Sequence, residues 1–184
     1  MSKYLIPSDV ANSVSTLISR NALWAGKSVY LFLISNETAG CFKDKLKSEK
    51  YKKVFNEAEK GAESLPNSVK SIQTKIFTTE YAGHAKELAL AITAEIIALK
   101  ESDAEYILAT AGGDGTSLEV QTTLFNAAQE VEKKRQVIMN NLTILRLPLG
   151  TGNDGTDGHT VEETVELLRG PLKFINTRAI RVYP

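Results

Sequence analysis

The sequence predicts a three-layer α/β domain, a mostly parallel sheet with helices on both faces. Short apolar strand patterns alternate four times with helix-period segments along the chain. The first strong strand, Ser28 to Ser35, is apolar at consecutive positions, as in a central parallel strand buried on both faces. Two strand-to-helix connections are glycine-rich, and in open parallel sheets ligands bind beyond the carboxyl ends of the strands.

Each element follows in order. After Pro7, the Ser8/Asp9 pair is placed to cap a helix whose Val10, Val14, Leu17 and Ile18 share one face. Residues 1–26 read as a helical packing extension, with Leu23 and Trp24 as core anchors rather than a membrane wedge. Strand one ends at Asn36-Glu37-Thr38-Ala39-Gly40. The stretch from Cys41 to Glu63 is rich in Lys and Glu, with sparse apolar positions at Phe42, Leu46, Tyr51, Val54 and Phe55, and predicts one or two exposed helices. Ser71 to Thr78 forms the second strand, followed by a helix carrying Leu88, Ile92, Ile96 and Leu99. Strand three, Tyr106 to Thr110, runs into Gly112-Gly113-Asp114-Gly115-Thr116 and a helix from about Ser117 to Lys134. Strand four, Leu142 to Leu147, ends in Gly150-Thr151-Gly152-Asn153-Asp154; a helix from Val161 to Arg169 and a last strand from Phe174 to Val182 complete the pattern.

With 184 residues, 42% of them hydrophobic, the chain supports one well-buried domain over 1–184. Its 22 basic and 22 acidic side chains cancel, so no overall field draws it to nucleic acid or an anionic membrane. A single cysteine, Cys41, excludes an internal disulfide framework, and His84 and His159 offer no metal cluster. They read as a helix-start and a loop residue. The N-terminus lacks the apolar core of a signal peptide and no run reaches membrane-spanning length. A cytoplasmic setting is expected, with any lipid contact peripheral; homodimerisation is left open.

Gly112, Gly113 and Gly115 crowd a turn where backbone amides can face outward together and no Cβ blocks a phosphate. The following helix adds its positive end. Asp114 would by itself repel phosphate, but it fits a magnesium ion, bound directly or through water, between carboxylate and phosphate. The alternative is an ordinary Gly-Asp-Gly turn.

The segment Gly112 to Thr116, with Glu119 and Val120, resembles the signature of diacylglycerol, sphingosine and NAD kinases; phosphofructokinases carry a related turn. Leu147-Pro148-Leu149-Gly150-Thr151-Gly152-Asn153-Asp154 resembles the lipid-kinase turn that NAD kinases do not usually carry. Asn36 to Gly40 and Thr79-Glu80 with Gly83-His84-Ala85 agree in order, and the resemblance spans Val29 to Ile175. It implies the nucleotide-binding lobe of a diacylglycerol/sphingosine-type kinase that transfers the ATP γ-phosphate to a lipid hydroxyl. By the same resemblance, Gly112, Gly113, Asp114, Gly115 and Thr116 hold ATP or ADP phosphates, with Asp114 as catalytic residue near the magnesium. Asn36 and Thr79 touch the nucleotide, and Gly150, Thr151, Gly152, Asn153 and Asp154 form the facing wall. For Asn36 and Thr79 the alternatives are a turn former and a helix-start residue. Glu119 is either part of the site or a first-turn acid on its helix dipole.

The family's second, β-rich lobe, with the general base and much of the lipid site, is expected outside the chain, which is either a fragment of a longer enzyme or a natural one-lobe relative; alone it is expected to be inactive. Gly155, Thr156, Asp157 and Gly158 stand where the family has an aromatic and a small residue, and few apolar anchors hold that loop. Asn176 replaces the family's aspartate. Gly150 to Gly155 spells a dinucleotide fingerprint by chance, and Gly26-Lys27-Ser28 lacks the first P-loop glycine. Two rival functions are an NAD kinase-like enzyme with a soluble acceptor and a non-catalytic nucleotide-binding regulatory module.

Overall fold

The computed structural model describes residues 4–99, 101, 103–154 and 157–170. The helices are α1 (Pro7–Arg20), α2 (Gly40–Lys43), α3 (Lys45–Glu63), α4 (His84–Leu99), α5 (Asp114–Glu130), α6 (Glu132–Asn140) and α7 (Val161–Arg169). The strands are β1 (Ser28–Ser35), β2 (Ser71–Thr78), β3 (Ala104–Gly112) and β4 (Leu142–Pro148). All pair in parallel in the order β2-β1-β3-β4. The expected α/β class and parallel sheet are therefore what the chain forms. The predicted strand Phe174 to Val182, and Asn176 within it, lie outside the described residues.

Strand periodicity divides the core. Val29, Leu31 and Leu33 of β1, with Ile107, Ala109 and Ala111 of β3, bury one face with residues from α1, α3 and α7. Tyr30, Phe32 and Ile34, with Tyr106 and Leu108, bury the other against α4, α5 and α6. Because both faces are covered, β1 and β3 need apolar residues at nearly every position. The edge strand β2 is largely exposed and correspondingly polar.

The N-terminal segment is not an appendage. Val10, Ala11, Val14, Leu17 and Ile18 are buried in the core, and α1 packs on α3, α7 and β2. Pro7 opens the helix, and the Asp9 carboxylate accepts the Ile6 N–H at 2.9 Å while pairing with Lys52 at 2.7 Å. Ser8 lies inside the helix and is not its cap. At the other end, Asn21 Nδ2 donates to the Leu168 and Gly170 carbonyls at 2.8 and 3.1 Å, capping α7 from a distance.

Several boundaries move. Asp44 accepts the Leu46 and Lys47 N–H groups and so divides the Lys/Glu-rich stretch into α2 and α3; Phe55 is buried, but Leu46 is exposed. Trp24 is buried as expected, whereas Leu23 stands at the surface. The helix expected from Ser117 to Lys134 starts at Asp114 and breaks at Val131, whose extended backbone separates α5 from α6.

Leu17, 2% exposed, and Leu46, 81% exposed, make a matched test of this packing. Leu17→Ala should lower the unfolding free energy by about 2–5 kcal/mol in urea denaturation. Leu46→Ala should stay within about 0.5 kcal/mol. Equal small losses would mean that α1 is not part of the cooperative core.

Candidate functional site

The order β2-β1-β3-β4 reverses direction between β1 and β3, so the connections leaving these strands diverge and open a crevice at the carboxyl edge. The sequence-predicted turns after β1, β2, β3 and β4 all lie at that edge, because every strand points the same way.

Helix α5 begins inside the glycine-rich turn. Gly113 is its N-cap, and the first amide of the helical ladder is Ser117 N–H, bonded to the Gly113 carbonyl at 3.2 Å. The amides of Asp114, Gly115 and Thr116 precede that ladder and mark the positive end of the helix. Below them, the Thr110 and Ser117 hydroxyls share a buried hydrogen bond of 2.7 Å that ties the end of β3 to the start of α5. Sequence reasoning passed over this pair, which is visible only as two hydroxyls seven residues apart.

The glycines of the turn differ in what they face. A Cβ on Gly112 would stand 2.9 Å from Thr116 Oγ1, and one on Gly150 would stand 2.3 Å from the Gly113 Cα. Both are required by packing within the protein. Gly115 is exposed, its φ is not left-handed, and a Cβ there would meet nothing within 4 Å. Neither its backbone nor its neighbours require glycine.

The turn after β4 packs directly on the first. Leu149 N–H donates to the Gly112 carbonyl at 3.1 Å, and Asn153 Oδ1 accepts the Gly150 N–H at 3.1 Å. Asp154 N–H reaches Asp114 Oδ2 at 3.1 Å, and a Cβ on Gly152 would lie 3.3 Å from the same oxygen. Thr151 touches the β1 turn, its Cγ2 standing 2.7 Å from where a Gly40 Cβ would be. The structure thus brings Gly112–Thr116 and Gly150–Asp154 together with Gly40.

Asn36 organises the third side. Its Nδ2 donates to Thr116 Oγ1 at 3.2 Å, and its Oδ1 accepts the Thr38 N–H and hydroxyl at 3.0 and 2.7 Å. It is a turn former that also reaches the glycine-rich turn. Asn36, Thr79, Thr116 and Glu119 line a cavity of about 290 Å³ with Thr38, Glu80, Tyr81, Ala82 and Ala85. Because α5 starts at Asp114, Glu119 sits in its second turn, and Asp114 is the acid in the first. The reading of Glu119 as a first-turn dipole acid is thereby corrected; Glu119 is among the residues that line this cavity. His84 opens α4, accepts the Glu80 N–H at Nδ1 and stacks on Tyr81. The Tyr81 hydroxyl donates to Glu87 at 2.8 Å, which holds its pKa above the usual tyrosine value.

A shallower depression of about 610 Å³ lies along α7, but its carboxylates are engaged. Asp157 pairs with Arg146, Glu162 with Lys50 and Glu166 with Arg169. None of Gly112–Thr116 or Gly150–Asp154 lines it, so the crevice at the sheet edge is the stronger candidate. The loop expected to have few apolar anchors is tied down by polar contacts. Asp157 accepts from the Arg146 N–H and guanidinium on β4, and buried Gly158 packs against Thr164. Gly155 and Thr156 lie outside the described residues.

Among the described residues no group of three or more His, Cys, Asp or Glu forms a metal cage. The Asp114 carboxylate at the glycine-rich turns, which accepts the Asp154 N–H, instead fits an ion that takes one or two carboxylates and completes its shell with phosphate and water, as magnesium does. No described helix is long and apolar enough to cross a membrane.

Among protein families, the diacylglycerol kinase catalytic domain matches residues 30–169. No curated protein and no solved structure matches the chain.

Cys41 reports on the union of these turns. Its N–H donates to the Leu149 carbonyl at 3.2 Å, and burial pushes its thiol up to about 12. Thiol labelling at mildly alkaline pH should therefore be slow in the folded protein and fast in denaturant. Gly150→Ala should cost about 1–3 kcal/mol by overpacking and accelerate labelling. Unchanged labelling in that variant would show that the Gly113–Gly150 contact does not hold the turns together.

Proposed function

Because the chain belongs to the diacylglycerol kinase catalytic domain family, we propose that it binds magnesium and ATP at the Gly112–Thr116 turn, as the nucleotide-binding lobe for phosphoryl transfer to a lipid hydroxyl. The observation that carries this reading is Gly115. An exposed glycine at the start of a helix, with open space where its Cβ would be, is explained by a ligand that approaches the backbone closely.

In this reading the amides of Asp114, Gly115 and Thr116 donate to phosphate oxygens, and the positive end of α5 favours their charge. Gly150–Asp154 walls the opposite side of the phosphates, with Asn153 holding the turn through the Gly150 N–H. Asp114 and Asp154 are the residues that would hold magnesium, which when bound neutralises charge on the transferred group. Asn36 and Thr79 flank the nucleoside, and Glu119 offers acceptors to its hydroxyls. Catalysis by such a lobe is positioning and charge stabilisation rather than covalent chemistry. The site for the lipid hydroxyl and the base that receives its proton would be provided by a second, β-rich lobe. The family match favours this acceptor over the soluble acceptor of an NAD kinase.

Titration calorimetry tests the reading. ATP should bind, and magnesium should tighten binding. Asp114→Asn should remove the magnesium effect. Gly115→Ala should weaken ATP binding by at least about 1.4 kcal/mol, or tenfold. The same variant should keep or raise stability by up to about 1 kcal/mol, since alanine is the better helix residue. ATP binding insensitive to magnesium and to both substitutions would overturn the assignment.

A further inference from the structure

The cavity beside the phosphate turn has an aromatic wall. Tyr81 lines it and is 53% exposed. Its ring lies flat on the His84 imidazole, with centroids 4.5 Å apart and planes 4° from parallel. Tyr81 lines the cavity, whereas His84, on the other side of the stack, is not among the lining residues. The hydroxyl is held by Glu87, and His84 is itself held by the Glu80 N–H. The ring is therefore fixed at one face and at its tip before any ligand arrives, which lowers the entropic cost of using its other face.

Charge indicates what that face receives. Glu80 and Glu119 line the same cavity, and two acceptor-only carboxylates disfavour phosphate there. They suit hydroxyl or amine donors. Ala82 and Ala85 leave room beside the ring, and the volume of about 290 Å³ suits a nucleoside rather than a whole nucleoside triphosphate.

We propose that Tyr81 is the base-stacking residue of the nucleotide site, taking a purine on the ring face opposite His84 and setting a preference for purine over pyrimidine nucleotides. A purine offers the larger π surface, and base–aromatic stacking is tolerant of which purine it is. The proposal rests on the nucleotide reading above.

The test compares ATP, CTP and inorganic triphosphate, each with magnesium, on the native chain, Tyr81→Leu and Tyr81→Phe. Calorimetry gives the affinities, and the loss of adenine absorbance on binding reports stacking directly. Native protein and Tyr81→Phe should bind ATP more tightly than CTP and show the absorbance loss. Tyr81→Leu should weaken ATP by about tenfold, abolish the absorbance loss and leave triphosphate affinity unchanged. If ATP and triphosphate both bind but Tyr81→Leu changes neither affinity nor absorbance, or weakens both ligands equally, the stacking role is overturned while the phosphate site stands. If neither ligand binds the native chain, the nucleotide reading itself fails and the stacking role with it.

Discussion

The carboxyl edge of the sheet depends on two backbones that touch. Gly113 and Gly150 approach so closely that a side chain on Gly150 would overlap its partner's Cα. The contact is prepared by the sheet, whose register carries β3 and β4 side by side up to Gly112 and Pro148. It is continued by Leu149, which bonds to Gly112 through its N–H and to Cys41 through its carbonyl. Three turns that are distant in sequence are thereby joined through main-chain groups, whose geometry side-chain motion does not alter. A phosphate-sized ligand would meet a preformed surface, and preorganised donors need little rearrangement when charge arrives.

The topology also separates two electrostatic environments. On one side of the crevice, the first amides of α5 and the turn at Gly115 present partial positive charge. On the other, Glu80 and Glu119 line a cavity beside Tyr81. An elongated ligand with one anionic end and one neutral, donor-rich end has a single favourable orientation across such a crevice. Orientation is thus encoded by the reversal of strand order between β1 and β3, which places the two environments next to each other.

How far this was legible in the sequence varies with the range of the interactions. The bounds of β1 follow from a local apolar pattern, and those of α7 from the threonine that caps it, Thr160, and its amphipathic face. Helix α5 starts three residues before its apparent beginning in the sequence, because glycine and aspartate signal a turn, while here they also form the N-cap and first helical turn. Periodicity showed that α1 buries Val10, Val14, Leu17 and Ile18, but not that its partners are α3 and α7. Of the site, the four turns were visible as glycine-, asparagine- and threonine-containing breaks after strands. The pinning of Tyr81 by His84 and Glu87 was not, and neither was the pairing of Asp157 with Arg146, since both join groups whose proximity arises only on folding.

The position of α1 between α3 and α7 has a consequence for how the chain comes to be folded. The helix is made well before one flank of its resting place, which begins at Val161. At about 5–20 residues per second, the interval between them is on the order of ten seconds. Throughout it the stripe of Val10, Val14, Leu17 and Ile18 lacks its complete cover, and a parallel sheet closed only by distant strands cannot form early to provide it. The turns of α1 are therefore open to misassociation while the rest of this core is made, and the yield of folded chain depends on how well they are shielded until α7 arrives.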